Sequence, residues 1–282
     1  MKAPMKKSLL AVAMTVALGA ASTGAMAALY NPFTVQETSV PGAGANTALS
    51  APLPGLEPGK ITGNYVESLT FVGGASGTFT GSLRWNAGQY VATDGITVLG
   101  SQLGAGIGGA TNQYQMYALI SGITGTYAPG AGATTVFTLG AGGSLSVWID
   151  PSSDTAFTGT ATSGGTGEDY NIANGSPKSG TGVLDPTLPT CGGGGINCGS
   201  FGTTTSFLLT ALGKNYFTSP NPFYDLSFQS GQLNNFTPSG TKTINGSMDV
   251  VFGNSVPEPA SLALMGIGLM GLAASVRRRK QA

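Results

Sequence analysis

The feature that most limits what this chain can fold into is a two-residue alternation, repeated along it and cut off each time by glycine. Over Thr78 to Trp85, the apolar residues Phe79, Leu83 and Trp85 alternate with Thr78, Thr80, Ser82 and Arg84. Leu145, Val147 and Ile149 alternate with Ser146, Trp148 and Asp150, and Ile244, Met248, Val250 and Phe252 alternate with Asn245, Ser247 and Asp249. Successive side chains of a strand point to opposite faces, so such a run has one buried and one wetted face. Looser runs over 61–72, 114–127, 134–139, 203–210 and 223–230 carry the same pattern in β-branched and aromatic residues. Only a short helix, near 208–217, fits the spacing. Eight or more short strands between residues 61 and 255 predict an all-β fold, a single antiparallel β-sandwich or jelly-roll-like domain.

Neither end shares this pattern. Lys2, Lys6 and Lys7 precede an apolar run of thirteen residues from Leu9 to Ala21, which leads to Ala25-Met26-Ala27. A basic start, an apolar run and a small-x-small site are the three parts of a secretory signal. As helix the run covers only about 20 Å, short of a bilayer core near 30 Å. Residues 1–27 are therefore expected to be a signal peptide, cut between Ala27 and Ala28. Residues 28–60 are rich in Gly and Pro without periodicity, and are expected to be an irregular arm.

The other end begins with Val256-Pro257-Glu258-Pro259, continues from Ala260 to Val276 without a charge, and closes on Arg277-Arg278-Arg279-Lys280. The uncharged run would give a helix of about 25 Å, the lower limit for a span. The two prolines stop any structure from running into it. Four cations beyond the span act as a stop-transfer block and stay in the cytoplasm, which places the body outside the cytoplasmic membrane.

The body leaves little room for conventional catalysis. The chain contains no histidine, which removes Ser-His-Asp triads, Cys-His pairs and the commonest zinc sites. Between the two ends stand five cations (Lys60, Arg84, Lys178, Lys214, Lys242) and eleven acids, a net charge near −6. Nucleic acid is excluded as a partner on that balance. Gly104, Gly106 and Gly109 fit G-x-G-x-x-G, but in a chain with 46 glycines and no surrounding strand–helix unit the match carries no weight. Cys191 and Cys198 bracket a glycine-rich loop, and in an exported chain the default is a disulfide between them. No cofactor is expected. The one metal the residues allow is Ca²⁺, because Asp150, Asp154, Glu168 and Asp169 with Asn171 could offer it several oxygens. Trp148, opposite the apolar face of its run, and Tyr224, in the aromatic loop around Pro220-Asn221-Pro222, are the candidate sugar-stacking rings. Trp85 shares the face of Phe79 and Leu83 and is expected in the core.

The order Val256-Pro257-Glu258-Pro259-Ala260, apolar span, arginine cluster resembles the PEP-CTERM tail, over residues 256–280. The resemblance implies a Gram-negative host. It also implies exosortase, a membrane-embedded cysteine protease, as processing partner, a transient anchor in the cytoplasmic membrane, and release to the cell surface or extracellular matrix. Ile61-Thr-Gly-Asn-Tyr65, Ile196-Asn-Cys-Gly-Ser-Phe-Gly202, Asn221-Pro-Phe223 and Thr243-Ile-Asn-Gly-Ser247 are similar to the flocculation-associated PEP-CTERM proteins. That similarity implies a non-enzymatic protein acting with exopolysaccharide in floc or biofilm formation. The alternative is a secreted carbohydrate-binding module or glycan-active enzyme using carboxylates and exposed aromatic residues.

Overall fold

A computed structural model describes residues 30–104, 114–192 and 197–255. The strands, in chain order, are β1 (Thr34–Val35), β2 (Pro58–Gly73), β3 (Gly77–Ala92), β4 (Val98–Leu99), β5 (Gln115–Pro129), β6 (Thr135–Leu139), β7 (Ser144–Asp150) and β8 (Ala156–Thr158). They continue with β9 (Ala161–Gly164), β10 (Tyr170–Gly175), β11 (Pro177–Leu184), β12 (Gly199–Ser206), β13 (Leu208–Leu209), β14 (Phe217–Ser219), β15 (Leu226–Leu233) and β16 (Gly240–Gly253). The expected helix near 208–217 is a short one, Ala211–Tyr216, whose first turn is capped by the Thr210 hydroxyl.

The all-β, antiparallel expectation holds, and one pairing gives the sheet its shape. β3 pairs with β5 as well as with β2, so the order β5-β6-β11-β12-β15-β16-β2-β3 returns to β5. Eight strands thus close into a barrel, and closure removes the unpaired edges that an open sheet would expose. β5 is long enough to serve two neighbours on one side: Gly125 to Pro129 pair with β6, and Gln115 to Ser121 pair with β7. At that second half β7, and then β10, continue the sheet, and Leu145, Val147 and Ile149 of β7 are buried in the core.

The alternation seen in the sequence decides what fills the interior. Tyr65, Leu69 and Phe71 of β2, Phe79, Leu83 and Trp85 of β3, and Ile244, Met248 and Phe252 of β16 all point inward and are buried. Trp85 donates its indole N–H to the Met248 carbonyl at 3.1 Å, so its polar atom is satisfied inside the core.

The described part of the stretch expected to be an irregular arm carries β1, a 3-10 turn at Glu37–Ser39 and a helical turn at Thr47–Ser50, and it packs into the body. Phe33, Val35, Val40 and Leu49 are buried, β1 pairs with β14, and the Phe33 ring meets Tyr90, Phe217, Phe223 and Phe252. Glu37, also buried, fixes the arrangement: its carboxylate accepts from the Gln102 amide at 2.9 Å, the Tyr114 hydroxyl at 2.9 Å and Asn46 Nδ2 at 2.7 Å. A buried carboxylate without a cation is tolerable only when donors replace its water in this way. The lead-in is a plug at one end of the barrel.

Candidate functional site

Two surface regions gather the side chains with chemical potential. The first lies on the outer face of β5, β7 and β10. Asp150 ends β7 and turns the chain: its Oδ1 accepts from the amides of Ser152 (3.0 Å) and Ser153 (2.7 Å), and its Oδ2 from that of Thr155 (2.9 Å). Ser153 takes the left-handed conformation, φ 58°, that this tight turn demands. The turn feeds the β8–β9 hairpin, whose Phe157 ring sits edge-on to Tyr117 at 5.1 Å and beneath the Arg84 guanidinium at 4.4 Å.

The chain then returns to place Glu168 and Asp169 beside Asp150, with carboxylate oxygens of the three all within 4.8 Å of one another. Asp169 Oδ2 accepts from the hydroxyls of Tyr117 (2.6 Å) and Thr155 (2.9 Å), while its Oδ1 is enclosed with no hydrogen-bond partner among the described residues. Burial pushes the Asp169 carboxyl up, with the charges of Asp150 and Glu168 adding to it against the two hydroxyl donors. Glu168 is held below the usual carboxylate range, first by the Ser152 hydroxyl, and Asp154 next to it is raised. Among the described residues the salt bridge is Lys60–Asp249 at 2.9 Å, and none of these four acids has a cationic partner. Such a group can share a proton or offer oxygens to a hard cation. It is poorly suited to acid–base shuttling, because Asp150 is sealed from solvent and both its oxygens are engaged by the turn. Asn171, grouped with these acids on sequence grounds, turns away and donates to the carbonyls of Val147 and Ala173.

Trp148 lies on this same face, cross-strand from Tyr117, half-buried and with its indole nitrogen enclosed and unpartnered among the described residues. Tyr224 belongs to the second region. It is half-buried too, packs against Phe223 with ring centroids 5.2 Å apart, and donates its hydroxyl to the Pro32 carbonyl at 2.8 Å. Around it a pocket of about 300 Å³ is lined by Leu208, Lys214, Thr218, Pro222 and Asp225. Asp225 holds the end of the body, accepting from the Ser255 amide at 2.6 Å and the Ser255 hydroxyl at 2.5 Å. Those two donors draw its carboxyl below the ordinary value. No sequence pattern marked this pair.

Cys191 and Cys198 are joined by a disulfide that closes the loop expected from their spacing. Ala27, Ala28, Val256, Pro257, Glu258, Pro259, the span 260–276, Arg277 to Lys280, and Gly106 and Gly109 lie outside the described residues.

An all-β body that gives way, directly after a fixed serine, to a proline pair, an apolar run and a basic end defines a class: a protein sorted by its C-terminal tail. A family model for the PEP-CTERM protein-sorting motif matches residues 255–279, starting on the serine that Asp225 holds. The chain carries a PEP-CTERM sorting motif, and the motif implies export, sorting to the cell surface and processing by exosortase. No curated protein and no solved structure matches the chain.

Proposed function

We propose that this protein is a non-enzymatic surface or matrix component that acts with exopolysaccharide in cell aggregation. In this reading the tail anchors the exported body in the cytoplasmic membrane until exosortase releases it. The observation that carries the reading is the sorting motif, which begins at the residue where the all-β body ends. The absence of histidine from the sequence and the engagement of Asp150 by its own turn support a role without catalysis.

Deleting the gene should disperse flocs while polysaccharide is still made, and adding back the mature protein should restore them. Adding it back with a chelator reads whether the Asp150, Glu168 and Asp169 carboxylates bridge to polymer through divalent cations. The Trp148→Ala variant reads whether ring stacking contributes. Normal flocculation of the deletion strain would sink the matrix role and turn attention to glycan substrates. Intact mass of matrix-recovered protein reports the processing: residues 1–27 should be gone, and material still carrying 260–282 would contradict release.

A further inference from the structure

The described body ends at Ser255, and Asp225 pins it there through both amide and hydroxyl. Between Ser255 and the uncharged run Ala260 to Val276 the sequence leaves only Val256 to Pro259. The five steps from Ser255 to Ala260 reach at most about 18 Å when fully extended. One headgroup layer occupies about 6 Å of that, half the difference between a bilayer's full thickness and its hydrocarbon core. The remaining 12 Å or so is about the diameter of one helix with its side chains. An anchored chain therefore holds this end of the body within about one helix diameter of the membrane surface.

The surface around Ser255 suits such a contact. Leu208 is 63% exposed. Lys214, on the short helix Ala211–Tyr216, is exposed and without an acidic partner among the described residues. Leu208 and Lys214 line one pocket with Pro222 and Asp225, and the acid there is already met by Ser255. Leucine side chains enter the boundary between headgroups and acyl chains, and a lysine beside them reaches lipid phosphate with its ammonium while its stem stays on apolar ground.

The geometry points to this face, formed by Leu208, Lys214 and the Pro220–Pro222 loop, as a phospholipid contact of the anchored precursor. It rests on the bilayer until exosortase cuts the tail, and is uncovered afterwards. This inference depends on the tail-anchored reading above.

The test uses the full-length chain made without exosortase and reconstituted into vesicles of phosphatidylethanolamine and phosphatidylglycerol. The two native cysteines are bonded to each other, so a bimane label reports only an introduced thiol. Single cysteines are placed by Leu208→Cys and Asn221→Cys, with Ser76→Cys as control. Ser76 lies in the β2–β3 turn, beyond Phe71, which pairs with the first residue of β16, whereas Ser255 follows its last. Brominated lipid should quench bimane at 208 and 221 and leave it unchanged at 76. Protein that floats with the vesicles but shows no quenching at 208 or 221 overturns the contact and leaves the anchor intact. Failure to float overturns both. Shielding of the labels from aqueous iodide without quenching by brominated lipid would put protein, not lipid, on this face, and overturns it too.

Discussion

Phe201 of β12 stands directly opposite Gly231 of β15, and its ring occupies the space where a side chain at Gly231 would begin. A Cβ there would lie 2.5 Å from Phe201 Cε1 and 2.6 Å from its Cζ. The ring uses that space to pack edge-on against Tyr65, 5.3 Å between centroids, inside the barrel. Gly231→Ala must push the ring toward the neighbouring cavity of about 50 Å³, which can absorb part of the movement. The expected cost is about 1 kcal/mol, recovered when Phe201→Leu is added. Gly175→Ala should cost more, upward of about 3 kcal/mol, because its Cβ would meet the Ser206 carbonyl oxygen, a backbone atom that cannot swing aside. Urea unfolding of the three variants beside the wild type checks the order, and equal effects for the two glycines would refute this account.

The same pairing explains which strands were legible in the sequence. β2, β3, β5 and β16 put a large apolar side chain at most inward positions, so period two is visible along them. β11 puts Gly180 and Gly182 inward, where a Cβ would meet Thr203 and Phe201, and a strand whose buried side is glycine shows no alternation. Composition also concealed the plug, since Phe33, Val35 and Leu49 are scattered among Gly, Pro, Ala and Ser. The acids Asp150, Glu168 and Asp169 could be grouped because they lie close in sequence, but their partner Tyr117 comes from β5 and only the fold brings it in. Asp225 and Ser255, thirty residues apart, follow no local rule at all.

Asp225 should be a measurable restraint on the root of the tail. Its folded pKa is depressed, so its contribution is present above the ordinary carboxylate pKa and is lost as pH falls through the lowered value. Solvent screens the pair, and Asp225→Ala should lower Tm by only about 1–2 °C. The local effect is larger: protection of the Ser255 amide, taken relative to its intrinsic exchange rate, should fall in the variant at pH 7, and in the wild type only under strongly acid conditions. Unchanged exchange at Ser255 would show that the pair holds nothing.

The Cys191–Cys198 disulfide is expected to serve stability. It closes a short loop whose ends are seven positions apart in the sequence, which in the chain-entropy model contributes roughly 2.5 kcal/mol. Its anchoring matters as much, because the Cys198 amide donates to the Leu233 carbonyl at 2.6 Å and the Cys198 carbonyl accepts from the Asp185 amide at 2.7 Å. Cys191→Ser with Cys198→Ser should therefore lower unfolding free energy by about 2 kcal/mol and loosen the junction of β11 and β12. Alkylation and mass mapping of exported protein should find no free thiol, and two reduced cysteines there would contradict the bond.

Glu67 gives the barrel a pH dependence opposite to that of Asp225. Its side chain points inward from β2, between Leu83 of β3 and Ile244 of β16, into the apolar cavity that Phe201 also lines. It has no hydrogen-bond partner among the described residues, and Thr203, Thr205 and Gln229 across the cavity bond to one another instead. Burial pushes its carboxyl up to about 8 from an ordinary 4.5. A group whose acid form is favoured by folding binds its proton more tightly folded than unfolded, so stability falls as pH rises. The loss should begin near 4.5, run to about 8 and then level off. Across that window it should amount to a few kcal/mol, and Glu67→Gln, which keeps the shape without the titration, should flatten it. Glu67→Leu should be flat as well and more stable at pH 8.5, since it removes the cost of an unpaired polar group in an apolar cavity. Urea unfolding of the mature body at pH 5, 7 and 8.5 separates the three proteins. A wild-type profile parallel to that of Glu67→Gln would mean that water reaches the carboxyl and that the lumen is not closed around it.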